Sequence, residues 1–157
     1  MELLWQELTN GLPDSRTFWI VVIRVITATL LGAVLGFQRE RAGKPAGLRT
    51  HILVSLGTAV VVLACSSSGM DMAGESRVIQ GIVTGIGFIG AGSILKVSEE
   101  RDIRGLTTAA GLWLTAAVGV ASGLGTIGIA LIATGLAVII LALENVAARL
   151  RKKPQEA

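Results

Sequence analysis

The sequence predicts an all-α membrane protein with five transmembrane helices. Of its 157 residues, 52% are hydrophobic and only 16% are charged, whereas an ordinary soluble domain carries about 25% charged residues. The mean hydropathy is +0.69. The chain also contains 20 glycines, each of which would cost a soluble helix about 1 kcal/mol relative to alanine. In lipid, small residues instead let helix backbones approach closely, so this composition favours a membrane bundle.

Five apolar stretches follow one another along the chain, and each predicts a spanning helix. They cover residues 18–37, 50–65, 78–96, 107–123 and 126–143. The acidic residues before Arg16 argue against a secretory signal peptide, and the spacing of Leu4, Leu8 and Leu12 fits a short interfacial helix. The predicted organisation is therefore an N-terminal interfacial segment (1–17), a five-helix membrane domain (18–145) and a short basic tail (146–157).

The basic residues predict the orientation. With five crossings, one side of the membrane holds eleven of them: Arg39, Arg41, Lys44, Arg49, Lys96, Arg101, Arg104, Arg149, Arg151, Lys152 and Lys153. The other side holds only Arg16 and Arg77, while Arg24 lies within the first span. The positive-inside rule then places the N-terminus outside and the C-terminus in the cytoplasm. Basic loops that face an anionic leaflet account for the sequence pI of about 9.6, so no nucleic-acid partner is needed.

The chain contains a tandem repeat. Shifted by 58 residues, the segment GLRTHILVSLGTAVVV (47–62) matches GLTTAAGLWLTAAVGV (105–120) at seven of sixteen positions. In the same register Gly32 falls on Gly90. The interpretation is a parallel repeat in which spans one and two correspond to spans three and four, with a fifth helix added.

The segment TGIGFIGAG (84–92) contains the spacing G-x-G-x-x-G of a dinucleotide-binding loop. That interpretation needs a preceding strand and a soluble helix, whereas this motif lies inside an uncharged run suited to a membrane helix. We therefore expect a packing surface on a central helix: Gly81, Gly85 and Gly92 share one helix face, and Gly87 and Gly90 share another. Small residues also recur in span one at Ala28, Gly32 and Gly36.

Two G-L-x-T motifs begin spans two and four. Thr50 and Thr108 are positioned to cap the first free N–H groups of these helices. Such a helix start, helped by Arg49 and Arg104, is suited to an anion or to a partner's carboxylate. The alternative is that the threonines only cap and the arginines only determine topology.

A charge inside a span is costly unless it is paired, which makes Arg24 a candidate functional residue. Snorkelling to the outer headgroups is the alternative. The candidate partners of Arg24 are Asp14, Asp71, Glu75 and Gln80. Arg77 lies at the outer mouth of span three, where an ordinary interface role also fits. His51 is one residue inside span two, a position more typical of a packed residue than of a proton carrier.

The sequence lacks the residue patterns that several kinds of chemistry require. No Asp or Glu lies deep in any span, whereas a divalent-cation pathway needs oxygen ligands. There is no P-loop, no His/Cys metal cluster and no paired carboxylate or activated nucleophile in the sequence, and Cys65 is its one cysteine. We therefore expect neither an enzyme nor a bound cofactor or metal.

Three motifs in order resemble the MgtC/SapB family of bacterial inner-membrane proteins. They are GFQRERAGKPAGLRTHILVSLGTA (36–59), RVIQGIVTGIGFIGAGSIL (77–95) and IRGLTTAAGLWLTAAVGVASGLG (103–125). The resemblance covers about residues 32–143. It implies a small helical bundle, a link to magnesium homeostasis and virulence, and binding to the F-type ATP synthase, which family members restrain. Longer members carry a soluble cytoplasmic domain, so the resemblance is to a short member.

The resemblance also implies which positions belong to the family's motifs. Gln38 departs from it, because many members have an acid there. The matching positions are Arg39, Glu40, Gly47, Leu48, Arg49, Thr50, Arg77, Gly85, Gly87, Gly90, Gly92, Arg104, Gly105, Thr108 and Ala109.

Three functions remain open at the level of sequence. The first is a regulatory membrane protein that docks to another membrane complex. The second is a small transporter or channel for an ion or small solute, favoured by the repeat and by Arg24. The third is a structural homo-oligomer, because glycine faces also suit self-association.

Overall fold

The computed structural model describes residues 1–3, 14–96 and 103–151 and contains five long helices. The predicted all-α, five-helix fold is therefore confirmed. The interfacial helix predicted before residue 14 and the end of the basic tail lie outside the described residues. The elements are α1 (Ser15–Arg41), α2 (Leu48–Ser67), α3 (Met72–Gly92), β1 (Leu95–Lys96), β2 (Ile103–Arg104), α4 (Leu106–Leu124) and α5 (Ile127–Arg151).

Local chemistry sets the helix ends. The Asp14 carboxylate accepts a hydrogen bond from the Thr17 N–H at 2.7 Å and caps α1. Hydrogen bonds from the Thr17 side chain and backbone hold the pKa of Asp14 below its ordinary value. Asp71 caps α3 in the same way through the Gly74 N–H, at 2.7 Å. At the C-terminus of α4, Gly125 adopts a positive φ of 83°, which suits a residue without a side chain.

The third helix differs from the predicted span of 78–96. It begins six residues earlier, because Asp71 caps it, and it ends at Gly92, where Ser93 Oγ donates to the Gly90 carbonyl at 2.7 Å. Leu95–Lys96 instead pairs antiparallel with Ile103–Arg104. Helix α5 continues to Arg151, past the predicted end of the membrane domain at residue 145.

Helix α4 is the centre of the bundle and packs against all four other helices. The expectation that α3 is the central helix is wrong, because α3 packs mainly against α4 and touches α2 sparsely. The reason lies in where the small residues face. A Cβ at Gly119 would collide with the Ser55 carbonyl, and one at Gly123 would lie 2.9 Å from the Ala59 carbonyl oxygen. These glycines let α4 approach α2 at backbone distance.

The structure agrees with the parallel repeat. Helices α2 and α4 begin at Leu48 and Leu106, which are 58 residues apart, as in the sequence alignment. A Cβ at Gly32 would lie 2.8 Å from the His51 carbonyl oxygen. At the equivalent positions, a Cβ at Gly90 would lie 3.8 Å from the Ala109 carbonyl oxygen. Both repeats therefore use the same glycine contact between their two helices.

The bundle has the surface of a membrane protein. Among the described residues, α1, α2 and α4 are each long and apolar enough to cross a membrane, and the apolar part of α5 (Ile127–Leu143) is shorter. Helix α3 carries Glu75 and Arg77 near its start, which lower its hydropathy. Large apolar side chains point outward; Phe88, for example, is 85% exposed. Lipid is the solvent that such a surface requires.

Candidate functional site

A buried polar cluster joins α1, α2 and α4, and we call its residues Arg39, His51 and Thr108 the Arg39 cluster. Arg39 is only 2% exposed. Its Nη2 donates to Thr108 Oγ1 at 3.1 Å and so links α1 to α4. Gln38 Nε2 donates to the Val138 carbonyl of α5 at 2.9 Å. A charge buried inside a protein is costly unless it is hydrogen-bonded, which makes the cluster a functional candidate.

His51 gives the cluster an open polar atom. Its ring is 1% exposed, and Nδ1 donates to the Gly47 carbonyl at 3.0 Å. Nε2 has no hydrogen-bond partner within the described ranges. The ring lines a cavity of about 150 Å³ whose other walls include Leu35, Gly111 and Leu141. The sequence interpretation of a packed residue missed this cavity, because it depends on α4 and α5 meeting α2.

Buried hydroxyl groups continue from this cluster along the interior. Ser55, Thr115 and Ser122 are each 0% exposed. The hydroxyls of Thr115 and Ser122 bond to carbonyls of their own helix, at 2.8 Å each, whereas Ser55 Oγ has no partner in the described part of the chain. Thr115 and Ser122 are seven residues apart and therefore share one face of α4.

The beginning of α2 differs from the capping prediction. Its N-cap is Gly47, which supplies no side-chain bond, and Thr50 is the third residue of the helix. Glu40 Oε2 accepts from the Leu48 N–H at 2.8 Å and so caps α2 from the end of α1. The N-cap of α4 is likewise a glycine, Gly105, at a φ of 97°. Thr108 faces Arg39 instead of capping its helix, because the buried guanidinium needs its hydroxyl.

Arg24 is a half-buried residue of α1. It lies against the C-terminal end of α4, opposite the end that carries Thr108. Its Nη1 donates to the Gly123 carbonyl at 2.8 Å, and a Cβ at Gly125 would collide with the guanidinium. None of the four predicted partners is used. The last turn of a helix carries partial negative charge from its free carbonyls, which explains how Arg24 is paired without an acid.

The remaining candidates lie apart from the Arg39 cluster. Arg77 is exposed on the first turns of α3. Arg104 is an exposed residue of β2, paired in register with Leu95 of β1. The predicted residues therefore form no single site: the structure joins Arg39 to Thr108, and places Glu40, Arg49 and Thr50 at the start of α2.

Helix α3 presents glycines to the outside, and we call Gly81, Gly85 and Gly92 the α3 glycine face. A Cβ at any of these three, or at Gly87 on another face of the helix, would meet no atom within 4 Å. Among the described residues, Gly90 packs against α4, near Ala109, whereas the predicted packing role of the other four glycines of α3 stays a prediction.

An open groove separates α2 from α3, and we call it the α2–α3 groove. Its volume is about 560 Å³, and its walls are mostly apolar. Arg49 and Thr50 line it together with Leu53, Gly57, Val61, Ile82, Gly85, Ile86 and Ile89. Across the described ranges, no three His, Cys, Asp or Glu side chains are grouped closely enough to hold a metal ion.

Comparison with known proteins finds relatives of this bundle. The model of the MgtC family matches residues 25–150. The chain is 43% identical over 122 residues to Protein SrpB of Synechococcus elongatus, covering 71% of this chain and 67% of that protein. It is 44% identical over 113 residues to Protein MgtC of Salmonella typhimurium, covering 72% of this chain and 47% of that protein.

A third relative is the "Putative magnesium transporter YhiD" of Escherichia coli, which is 42% identical over 114 residues. The match covers 66% of this chain and 51% of that protein. The chain thus spans about half the length of the MgtC and YhiD relatives. No solved structure matches the chain.

Proposed function

Because the chain belongs to the MgtC family, whose model matches residues 25–150, we propose that it is a regulatory membrane protein that docks to another membrane complex. The proposal includes no enzymatic reaction. The family resemblance makes the F-type ATP synthase of the membrane the first partner to test. Binding to it is the proposed way in which this protein serves adaptation to low magnesium or other stress.

The α3 glycine face is the observation that carries this proposal. Gly81 and Gly85 form a G-x-x-x-G pair on a membrane helix, and the space outside both residues is empty. In lipid, where apolar surface alone gives no driving force for association, such a pair lets a second helix pack at backbone distance. The glycines of α4 already face α2, whereas the G-x-x-x-G pair of the α3 glycine face has room for an additional helix.

The docking proposal predicts that bulk on this face removes the partner. The tagged protein is purified gently from its native membrane, and every copurifying chain is identified and quantified. Gly81→Leu should lower the recovered partner at least about tenfold, because a leucine side chain separates two helices that glycine lets touch. Gly135→Leu is the matched control, since Gly135 is an exposed helical glycine of α5 with nothing within 4 Å of an added Cβ.

Three outcomes would count against docking to another complex. Full recovery of the partner by Gly81→Leu would exclude the α3 glycine face. Recovery of a homo-oligomer alone, lost in Gly81→Leu, would assign the face to self-association. Recovery of neither a partner nor a homo-oligomer would favour the second candidate function, transport.

The orientation follows the positive-inside rule, and we place the protein in the bacterial inner membrane with its N-terminus outside. In a chain in which Cys65 is replaced by serine, Ser68→Cys should react with an impermeant maleimide from outside. Pro45→Cys, in the loop between α1 and α2, should react only after permeabilisation. Labelling of both positions in intact cells, or the reverse pattern, would contradict this orientation.

The second candidate function is a small transporter or channel. The buried polar atoms favour it, since the His51 cavity and the interior hydroxyls of Ser55, Thr115 and Ser122 lie between the two arginines Arg39 and Arg24. Flux of an anion or uncharged solute into liposomes, abolished by Arg24→Ala, is its expected result. Liposomes that stay tight with the intact protein would exclude it.

A further inference from the structure

We propose that the α2–α3 groove binds an anionic phospholipid, with one acyl chain along the groove and the phosphate on Arg49. The inference does not rest on the docking partner. The groove borders the α3 glycine face, since Gly85 lines it and Gly81 does not. The inference combines the shape of the groove, the charge at one end of it and the size of what fits.

The groove has the length of one membrane leaflet. On α2 its lining runs from Arg49 to Val61, which at 1.5 Å per residue is about 18 Å. Half of the hydrocarbon core is about 15 Å. The walls along this length are Leu53, Val54 and Gly57 on α2 with Ile82 and Ile89 on α3. They offer an acyl chain apolar contact and no competing charge.

The α2–α3 groove carries a positive charge at one end. Arg49 is the second residue of α2 and lines the groove together with Thr50. In the described part of the chain, the Arg49 side chain takes part in none of the hydrogen bonds that join the helix ends, unlike its neighbour Glu40, which caps Leu48. A guanidinium matches the bidentate geometry of a phosphate group, and the Thr50 hydroxyl is next to it as a further donor. Two other clefts beside α3, of about 190 and 340 Å³, have no charged residue in their walls.

The size of the groove suits an acyl chain. An acyl chain is one carbon wide and lies inside a volume of about 560 Å³. At the opposite end, Ser66 Oγ donates to Glu75 Oε1 at 2.8 Å and holds the two helices together. This contact lies beyond the lining of the groove, on the side away from Arg49.

The end that carries Arg49 faces the cytoplasm in the proposed orientation. The cytoplasmic leaflet holds the anionic lipids, and each basic residue near its surface contributes an attraction worth about fivefold in binding. The proposed ligand thus lies in the leaflet where its headgroup charge is found.

Lipid titration followed by native mass spectrometry tests the proposal. The protein is purified in a neutral detergent, freed of lipid and titrated with phosphatidylglycerol or with phosphatidylcholine of the same acyl chains. One phosphatidylglycerol should bind about fivefold more tightly than phosphatidylcholine. Arg49→Gln should remove this preference, whereas Arg77→Gln, which neutralises an exposed arginine outside the groove, should keep it.

The acyl chain is tested by filling the groove. Gly57→Leu places a side chain in it, and the first carbon of that side chain meets no atom within 4 Å. This variant should weaken binding of both lipids at least fivefold, while Gly135→Leu leaves it unchanged. Thermal unfolding in detergent confirms that each variant is folded.

Four results would overturn the proposal: a preference for phosphatidylglycerol that survives Arg49→Gln, unchanged lipid binding by Gly57→Leu, complete competition by inorganic phosphate, or a protein dimer that is lost in Gly57→Leu while lipid binding persists. The last result would assign the groove to a second copy of the chain. Gly81→Leu distinguishes this inference from the proposed function, because it should abolish docking and leave lipid binding intact.

Discussion

Replacing Gly119 by leucine should abolish accumulation of the folded protein. Gly119 of the central helix α4 faces helix α2, and a Cβ there would collide with the Ser55 carbonyl and with Thr58 Oγ1. Thr58 Oγ1 in turn donates to the Ala116 carbonyl at 3.2 Å across the same interface. The obstacle includes backbone, which cannot move to another rotamer. We expect a loss of at least about 3 kcal/mol, the upper range for overpacking.

The measurement is the monodisperse fraction on size exclusion after detergent extraction, together with the temperature of unfolding. Gly128→Leu is the matched control, because it adds the same side chain to a helical glycine of α5 with nothing within 4 Å of its Cβ. Normal folding of Gly119→Leu would mean that α2 and α4 do not meet at this glycine.

Replacing Thr108 by valine should destabilise the bundle by about 2 kcal/mol, the range for a hydrogen bond to a charged group. The hydroxyl accepts from Arg39 Nη2 at 3.1 Å, and both residues are 2% exposed. Valine keeps the shape but removes the acceptor, so the buried guanidinium loses a partner that lipid cannot replace. Free energies of unfolding are measured by titration with a denaturing detergent.

Thr115→Val is the control for Thr108→Val. Thr115 is 0% exposed on the same helix, and its hydroxyl donates to the Gly111 carbonyl of its own helix. Its replacement should cost less than 1 kcal/mol, in line with the ~0.6 kcal/mol average of hydrogen bonds in membrane bundles. In an Arg39→Leu background the effect of Thr108→Val should disappear. Equal losses for the two threonines, or an unchanged loss without Arg39, would show that the bond to Arg39 contributes nothing.

The five helices and their repeat could be predicted because membrane insertion acts on local composition. The hydropathy of a run of apolar residues, which decides its insertion, does not depend on which helix packs beside it. The third helix was placed six residues too late at its start, because its first turns carry Glu75 and Arg77 and depend on the Asp71 cap. Its end was placed too late because Leu95–Lys96 pairs with Ile103–Arg104, and a two-residue strand has no periodicity of its own.

The candidate site was harder to predict, because its geometry depends on residues distant in sequence. Thr108 has the right type and position for a cap, and only the approach of Arg39, 69 residues away, explains why its hydroxyl faces the interior. The partner of Arg24 is the backbone carbonyl of Gly123. Every residue has such a carbonyl, so the types of side chain in the sequence do not indicate which one Arg24 binds. The glycines of α3 and α4 look alike in sequence, and the structure separates filled glycines from open ones.

The unequal glycine contacts of the two repeats predict a different tolerance to substitution in each. Gly32 lies so close to His51 that no side chain fits, whereas an alanine methyl group at Gly90 would be in ordinary contact with Ala109. The first hairpin therefore requires glycine at its contact, whereas the second has room for a methyl group at the equivalent position.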